Sequence, residues 1–312
     1  MTLWHKYASI AYIAVFFGVI GHASSEFVSV LCGVSGPELS VWRFLLGGAG
    51  LVIMALIFPS SRDLVTPFKT DGLRLVLLSV IGVTLTYLLF HWSIDFATVP
   101  QVATIVTVIP IFVGLSNLWL NKQPISTPKL ITGIAALIGV ALLITDGYLA
   151  KLAGSTENLY GVFLALGTAA IGAAYAVTVR PIIGKYGAIR ITAITMMLGA
   201  IGLWIVVGLF WNVWVNPATL FDRPHGAVVS IITLALWNTT ITQILWIGGL
   251  AAVPDITRGS YLFFLKPVIA AFLTVVFLRQ SLTTPQIMAA LVICSSVFIE
   301  ASWPRLRQSF GR

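Results

Sequence analysis

Residues 253–283 read VPDITRGSYLFFLKPVIAAFLTVVFLRQSLT, and residues 99–126 read VPQVATIVTVIPIFVGLSNLWLNKQPIS. Both open on Val-Pro, run through a long apolar stretch with a proline inside it, and end on a polar turn. Pro110 stands as far before Gln123-Pro124-Ile125-Ser126 as Pro267 stands before Gln280-Ser281-Leu282-Thr283. A recurrence of this kind, half a chain apart, is the mark of an internal repeat, and repeats of this size are the building plan of many transporter folds.

Outward from these stretches the chain is apolar almost throughout. Hydrophobic residues make up 58% of its 312 positions and charged residues 9%, against about a quarter charged in a soluble domain. Mean hydropathy is +1.00. A soluble enzyme and a disordered tail are both excluded. The formal net charge of +8 does not indicate nucleic-acid binding, because the basic residues are scattered between apolar runs. Cys32 and Cys294 form neither a disulfide framework nor a metal-ligand spacing, and no metal or cofactor is expected.

Crossing a bilayer takes roughly 20 apolar residues. Ten such runs are present, at 8–31, 38–58, 73–93, 98–120, 126–145, 159–180, 188–211, 227–250, 256–279 and 283–302. The first is read as a span rather than a cleaved leader: Gly21-His22-Ala23 weakly resembles a cleavage site, but its removal would leave nine helices and spoil the repeat. The fold expected is all-α and membrane-integral, with two five-helix halves over 1–150 and 151–312. Five is odd, so the second half crosses in the opposite sense and the repeat is inverted. With the amino terminus inside, thirteen Lys and Arg fall on the cytoplasmic side, and Lys151, Arg223 and Arg279 fall outside. Both termini are therefore expected in the cytoplasm, in a plasma (inner) membrane.

Intramembrane polar groups are costly and mark candidate sites. Lys266, next to Pro267 and far from either end of its helix, is expected to line an aqueous cavity and meet an anionic or zwitterionic substrate; the alternative is donation to freed backbone carbonyls. The matching residue of the first half is Ile109, so the repeat itself requires no cation there. Tyr87 with His91, and Asn238 with Thr242, are spaced by four, Thr104 and Thr107 by three, and Trp237, Trp246, Tyr261 and Phe264 add aromatic surface; these supply the expected wall. Glu26 and Arg43 are expected to pair, either as a structural clasp or as a proton- or substrate-responsive couple. His22 shares a helical face with Glu26 and Ser29 and suits proton relay or a plain interhelical hydrogen bond. Pro110 and Pro267 are the candidate helix breaks and gating points. Arg180, Arg258 and Glu300, near helix ends, are read as snorkelling. Ala165, Ala169 and Ala173 form a small-residue stripe for close packing.

The stretches Val99-Pro100-Gln101-Val102-Ala103 through Pro110-Ile111-Phe112, and Leu236-Trp237-Asn238 through Ser260-Tyr261-Leu262-Phe263-Phe264-Leu265-Lys266-Pro267-Val268-Ile269-Ala270, resemble the EamA-type branch of the drug/metabolite transporter superfamily. That resemblance implies ten helices in two inverted repeats and secondary transport of small metabolites, often outward. The family usually has Glu in the turn after its proline helix, where this chain has Gln123 and Gln280.

The function expected is alternating-access export of a small anionic or zwitterionic metabolite, working as a monomer or homodimer. The alternatives are a flippase for lipids or lipid-linked sugars, and a cationic drug exporter. No nucleotide-binding loop occurs, so no ATPase subunit is expected. The H-E-x-x-H and G-x-S-x-G motifs are also absent, which argues against an intramembrane enzyme.

Overall fold

The computed structural model describes residues 7–97, 102, 105–145, 156–279 and 281–310. Among these, ten helical columns follow one another through short turns. They are α1 (Ala8–Val30), α2 (Gly36–Ile57), α3 (residues 65–96), α4 (Ile109–Asn121), α5 (Thr127–Thr145), α6 (Thr156–Tyr186), α7 (Ala188–Trp211), α8 (residues 225–252), α9 (residues 256–278) and α10 (Thr284–Phe310). Eight are long and apolar enough to cross a membrane; the shorter apolar helices are Ile109–Asn121 and Thr127–Leu143. The expected boundary near residue 150 and the segment 98–101 lie outside the described residues.

Contacts between helices reveal the repeat. Helix α2 packs against α7 and α5 against α10, while α3 lies on α6 as α8 lies on α1, and α4 lies on α6 as α9 lies on α1. Contact of α7 with α3 is matched by contact of α2 with α8. Exchanging each helix for the one five places on maps this set of pairings onto itself, as two inverted five-helix repeats require.

The correspondence extends to single atoms. Both α3 and α8 are interrupted by π-helical turns, over Val80–Leu85 and Leu236–Ile241. A π turn widens the helix, breaks its regular hydrogen-bond ladder and shifts the residues that follow around the axis. In α3 the Thr84 hydroxyl donates to the Gly199 carbonyl of α7 at 2.8 Å, and in α8 the Thr240 hydroxyl donates to the Gly47 carbonyl of α2, also at 2.8 Å. Such an approach requires glycine. A Cβ at Gly199 would lie 2.4 Å from the Val83 side chain, and one at Gly47 would lie 2.6 Å from that of Thr239.

The prolines also correspond. Pro110 and Pro267 each stand in the first turn of a helical segment, Ile109–Asn121 and Lys266–Leu278. There the missing N–H has no carbonyl to meet and costs nothing. Each segment then ends on a basic residue in the left-handed region, Lys122 at φ 56° and Arg279 at φ 53°.

Candidate functional site

Between the halves lies a cavity of about 570 Å³. It extends from the middle of the bundle to the α1–α2 turn, where Gly33 and Ser35 are exposed. Positive φ at Gly33 (68°) and Gly36 (56°) shapes that turn, and only glycine takes this conformation without strain. At the opposite end the cavity stops short of the α8–α9 turn, which is covered by charged side chains.

Seven residues singled out from the sequence line this cavity: His22, Ser29, Arg43, Tyr87, His91, Trp246 and Lys266. Lys266 begins the α-helical part of α9, directly after a 3-10 turn over Tyr261–Leu265. Its Nζ lies 5.9 Å from the centre of the Phe263 ring. Arg43 comes from α2; its Nε donates to the Thr239 hydroxyl at 3.0 Å and its Nη2 to the Asn238 carbonyl at 3.1 Å. The Asn238 carbonyl lies within the π turn of α8, where the regular hydrogen-bond ladder is broken. The Glu26 side chain, with which Arg43 is expected to pair, lies outside the described residues, as do Thr104 and Gln280.

Across the cavity, the Tyr87 ring lies against Phe44 with centroids 3.8 Å apart. Its hydroxyl accepts a hydrogen bond from Gln243 Nε2 at 2.6 Å, joining α3 to α8. His91 is buried, with the Ser40 hydroxyl and the Tyr87 carbonyl both against its Nδ1. His22 stands edge-on to the Trp246 and Phe263 rings, at 5.7 and 5.6 Å. The wall thus combines aromatic faces with two basic side chains from different halves, an arrangement suited to a small solute that has an apolar part and an anionic group.

Six residues expected in the wall are not there: Thr107, Trp237, Asn238, Thr242, Tyr261 and Phe264. Asn238 turns towards α1, donating from Nδ2 to the Gly21 carbonyl at 2.7 Å and to the Ser24 hydroxyl at 2.9 Å. Trp237 Nε1 donates to the same Ser24 hydroxyl at 3.1 Å. Thr242 bonds back to the Trp237 carbonyl and packs on Gly21, where a Cβ would be 1.8 Å from its Oγ1. These three join α8 to α1, since the π turn moves them off the face that a regular helix would give them. The Tyr261 hydroxyl donates to the Lys129 carbonyl on α5, and its ring packs edge-on against Phe264. The snorkelling expectation also needs correction: Arg258 Nε meets both Glu300 carboxylate oxygens, at 2.9 and 3.2 Å, and the Arg180 guanidinium is spent on backbone carbonyls of the α8–α9 turn.

Gln243 was missed although it is a buried amide in an apolar run, which is itself a signal. Thr86 and Thr168 also line the cavity. Thr168 donates to the Thr86 carbonyl at 3.3 Å, while the Thr86 hydroxyl has no partner among the described residues. Among the described residues no group of three or more His, Cys, Asp or Glu is placed to hold a metal ion.

Comparison with known proteins agrees with this architecture. The model of the EamA-like transporter family matches residues 6–145 and again residues 159–300. The uncharacterized inner membrane transporter YicL of Salmonella typhimurium is 23% identical over 287 residues, covering 92% of this chain and 91% of that protein. An uncharacterized transporter of Archaeoglobus fulgidus is 24% identical over 75% of the chain and 77% of its own length. A protein crystal structure superimposes with a TM-score of 0.80 over 96% of this chain and 99% of that one, at 16% identity. This last likeness concerns the fold alone.

Proposed function

Because the chain belongs to the EamA-like transporter family, we propose that it is a secondary exporter of a small metabolite bearing a carboxylate or comparable anionic group, working by alternating access. One observation carries this reading: a cavity between the two repeats, reaching one end of the bundle and stopping short of the other, with Lys266 and Arg43 in its wall. Inverted repeats make the complementary state accessible by rocking one half against the other about the same site. The solute's anion meets Lys266, and its apolar part lies among Tyr87, Trp246 and Phe263.

The distribution of basic residues supports a topology with both termini in the cytoplasm of a plasma membrane. In that orientation the α1–α2 turn faces outward and the cavity opens to the exterior, the state in which an exporter releases its load. The test is counterflow in liposomes containing the purified protein, challenged with amino acids, other carboxylates, sugars, nucleosides and cationic drugs. Accumulation of a carboxylate-bearing solute supports the proposal. Accumulation of cationic drugs alone contradicts it.

A further inference from the structure

The blocked end of the cavity is held by an unusual concentration of charge. On α6, Ala176 lines the cavity, and one turn further on Arg180 reaches across to α8. Its Nε donates to the Ala251 carbonyl at 3.2 Å, and its Nη2 to the carbonyls of Val253 at 2.5 Å and Pro254 at 3.4 Å. Ile247, one turn before Ala251, also lines the cavity. The guanidinium thus spans from α6 to α8 one turn beyond the cavity-lining Ala176 and Ile247.

The beginning of α9 is fastened at the same level. Asp255 caps it, its Oδ1 accepting from the Arg258 amide at 3.1 Å, while its Oδ2 pairs with Lys129 on α5. Burial works to raise the Asp255 carboxyl, but the Lys129 ammonium and the Arg258 amide outweigh it and hold the group below the ordinary carboxylate range. Arg258 in turn pairs with Glu300 on α10, whose side chain is 2% exposed. Removing one partner of such a pair leaves the other charge buried and unmatched, so the contact is a strong tie only while both are present.

At the positions that match Asp255 and Glu300 the first repeat carries no charge. The Val-Pro that precedes Asp255 recurs as Val99-Pro100, followed by uncharged Gln101. Leu143 stands as far after Gln123 as Glu300 stands after Gln280. A repeat that needed charge at these positions for folding would carry it in both copies.

We propose that Arg180, Lys129, Asp255, Arg258 and Glu300 form a one-sided ionic latch that stabilises the state closed at the α8–α9 turn and must open for the site to face the other way. This rests on the alternating-access reading above. Contacts made in only one of two states bias the equilibrium towards it, and the first repeat lacks the carboxylates at the positions of Asp255 and Glu300 that would offset the bias. The resting protein therefore keeps its site open at the α1–α2 turn.

The test reads conformation without transport, so it stands even if the solute assignment fails. In a Cys32→Ser, Cys294→Ser background, a cysteine is placed at Ala176 and labelled with a membrane-impermeant maleimide from each face of vesicles of known sidedness. With the latch intact, labelling is expected through the α1–α2 face. Arg180→Gln and Glu300→Gln should raise the labelling rate from the opposite face by about tenfold or more, the factor that loss of a modest differential interaction gives. Arg180→Lys keeps a cation but lacks the three-carbonyl fork, and should give an intermediate rate; it decides the question if Arg180→Gln does not fold. Unchanged labelling from the α8–α9 face in folded Arg180→Lys and Glu300→Gln protein, judged by gel filtration, would overturn the latch and leave these residues as static ties.

Discussion

Replacing Gly47 by alanine adds one methyl group at a close approach of α2 and α8. The new Cβ would lie 2.6 Å from both Cβ and Cγ2 of Thr239 and 3.0 Å from the Ala235 carbonyl oxygen. Carbon atoms in contact prefer about 3.5–4.0 Å, so the helices must part by about an ångström, and the Thr240 bond to the Gly47 carbonyl must lengthen with them. Overpacking of this kind costs about 1–3 kcal/mol. Alanine also has a higher helix propensity than glycine, by about 1 kcal/mol, which offsets part of that loss and would blur a single measurement. Gly184 supplies the reference. It lies within α6, and a Cβ there meets nothing within 4 Å. Because the propensity gain is common to both variants, the difference between them isolates the packing term. Gly47→Ala is expected to be about 1–3 kcal/mol less stable than Gly184→Ala, read from denaturant unfolding in a fixed detergent with thermal melting as a second probe. Equal stabilities would refute the claim that the α2–α8 approach is set by glycine.

The remaining predictions concern the site and the topology. Tyr87→Phe strips Gln243 of its acceptor and should cost about 1–3 kcal/mol; adding Gln243→Leu should recover part of it, and a double variant no better than the single would argue against the bond. Arg43→Gln and Glu26→Gln should each destabilise by about 3–5 kcal/mol if the two residues pair, with the double variant less costly than the sum; additive losses rule the pair out. A cysteine introduced at Ser155 should react with impermeant reagent from outside and one at Ser126 should not, and the reverse pattern would invert the proposed topology.

How much of this was written in the sequence depends on helix geometry. The repeat was legible because proline and the polar turn are punctuation that survives divergence, and the structure carries it down to paired left-handed caps at Lys122 and Arg279. The cavity cations were legible because a charge inside an apolar run is too costly to keep in hydrocarbon and must turn towards a partner or a polar cavity. The placements that failed share a cause. Asn238 and Thr242 were put in the wall by four-residue spacing, which presumes an α-helix, and Trp237 as aromatic surface beside them, whereas Leu236–Ile241 is a π turn that aims all three at α1. Tyr261 opens a 3-10 turn and is likewise re-aimed, towards α5. An apolar run has no periodic polar face to reveal where its pitch changes. The charged cluster at the α8–α9 turn was misread for a different reason. Arg180, Arg258 and Glu300 are far apart in the sequence, each taken singly is accounted for by its nearness to a helix end, and only the three-dimensional fold brings them together.

The central claim is that Lys266 presents its charge to the anion of a transported solute. Lys266→Met retains an unbranched stem and deletes the charge, and its effect is measured as counterflow of the best carboxylate-bearing solute in liposomes with equal amounts of inserted protein. The account predicts that counterflow is abolished while the protein remains folded and monodisperse. Normal counterflow at unchanged affinity would contradict it and make Lys266 a structural residue.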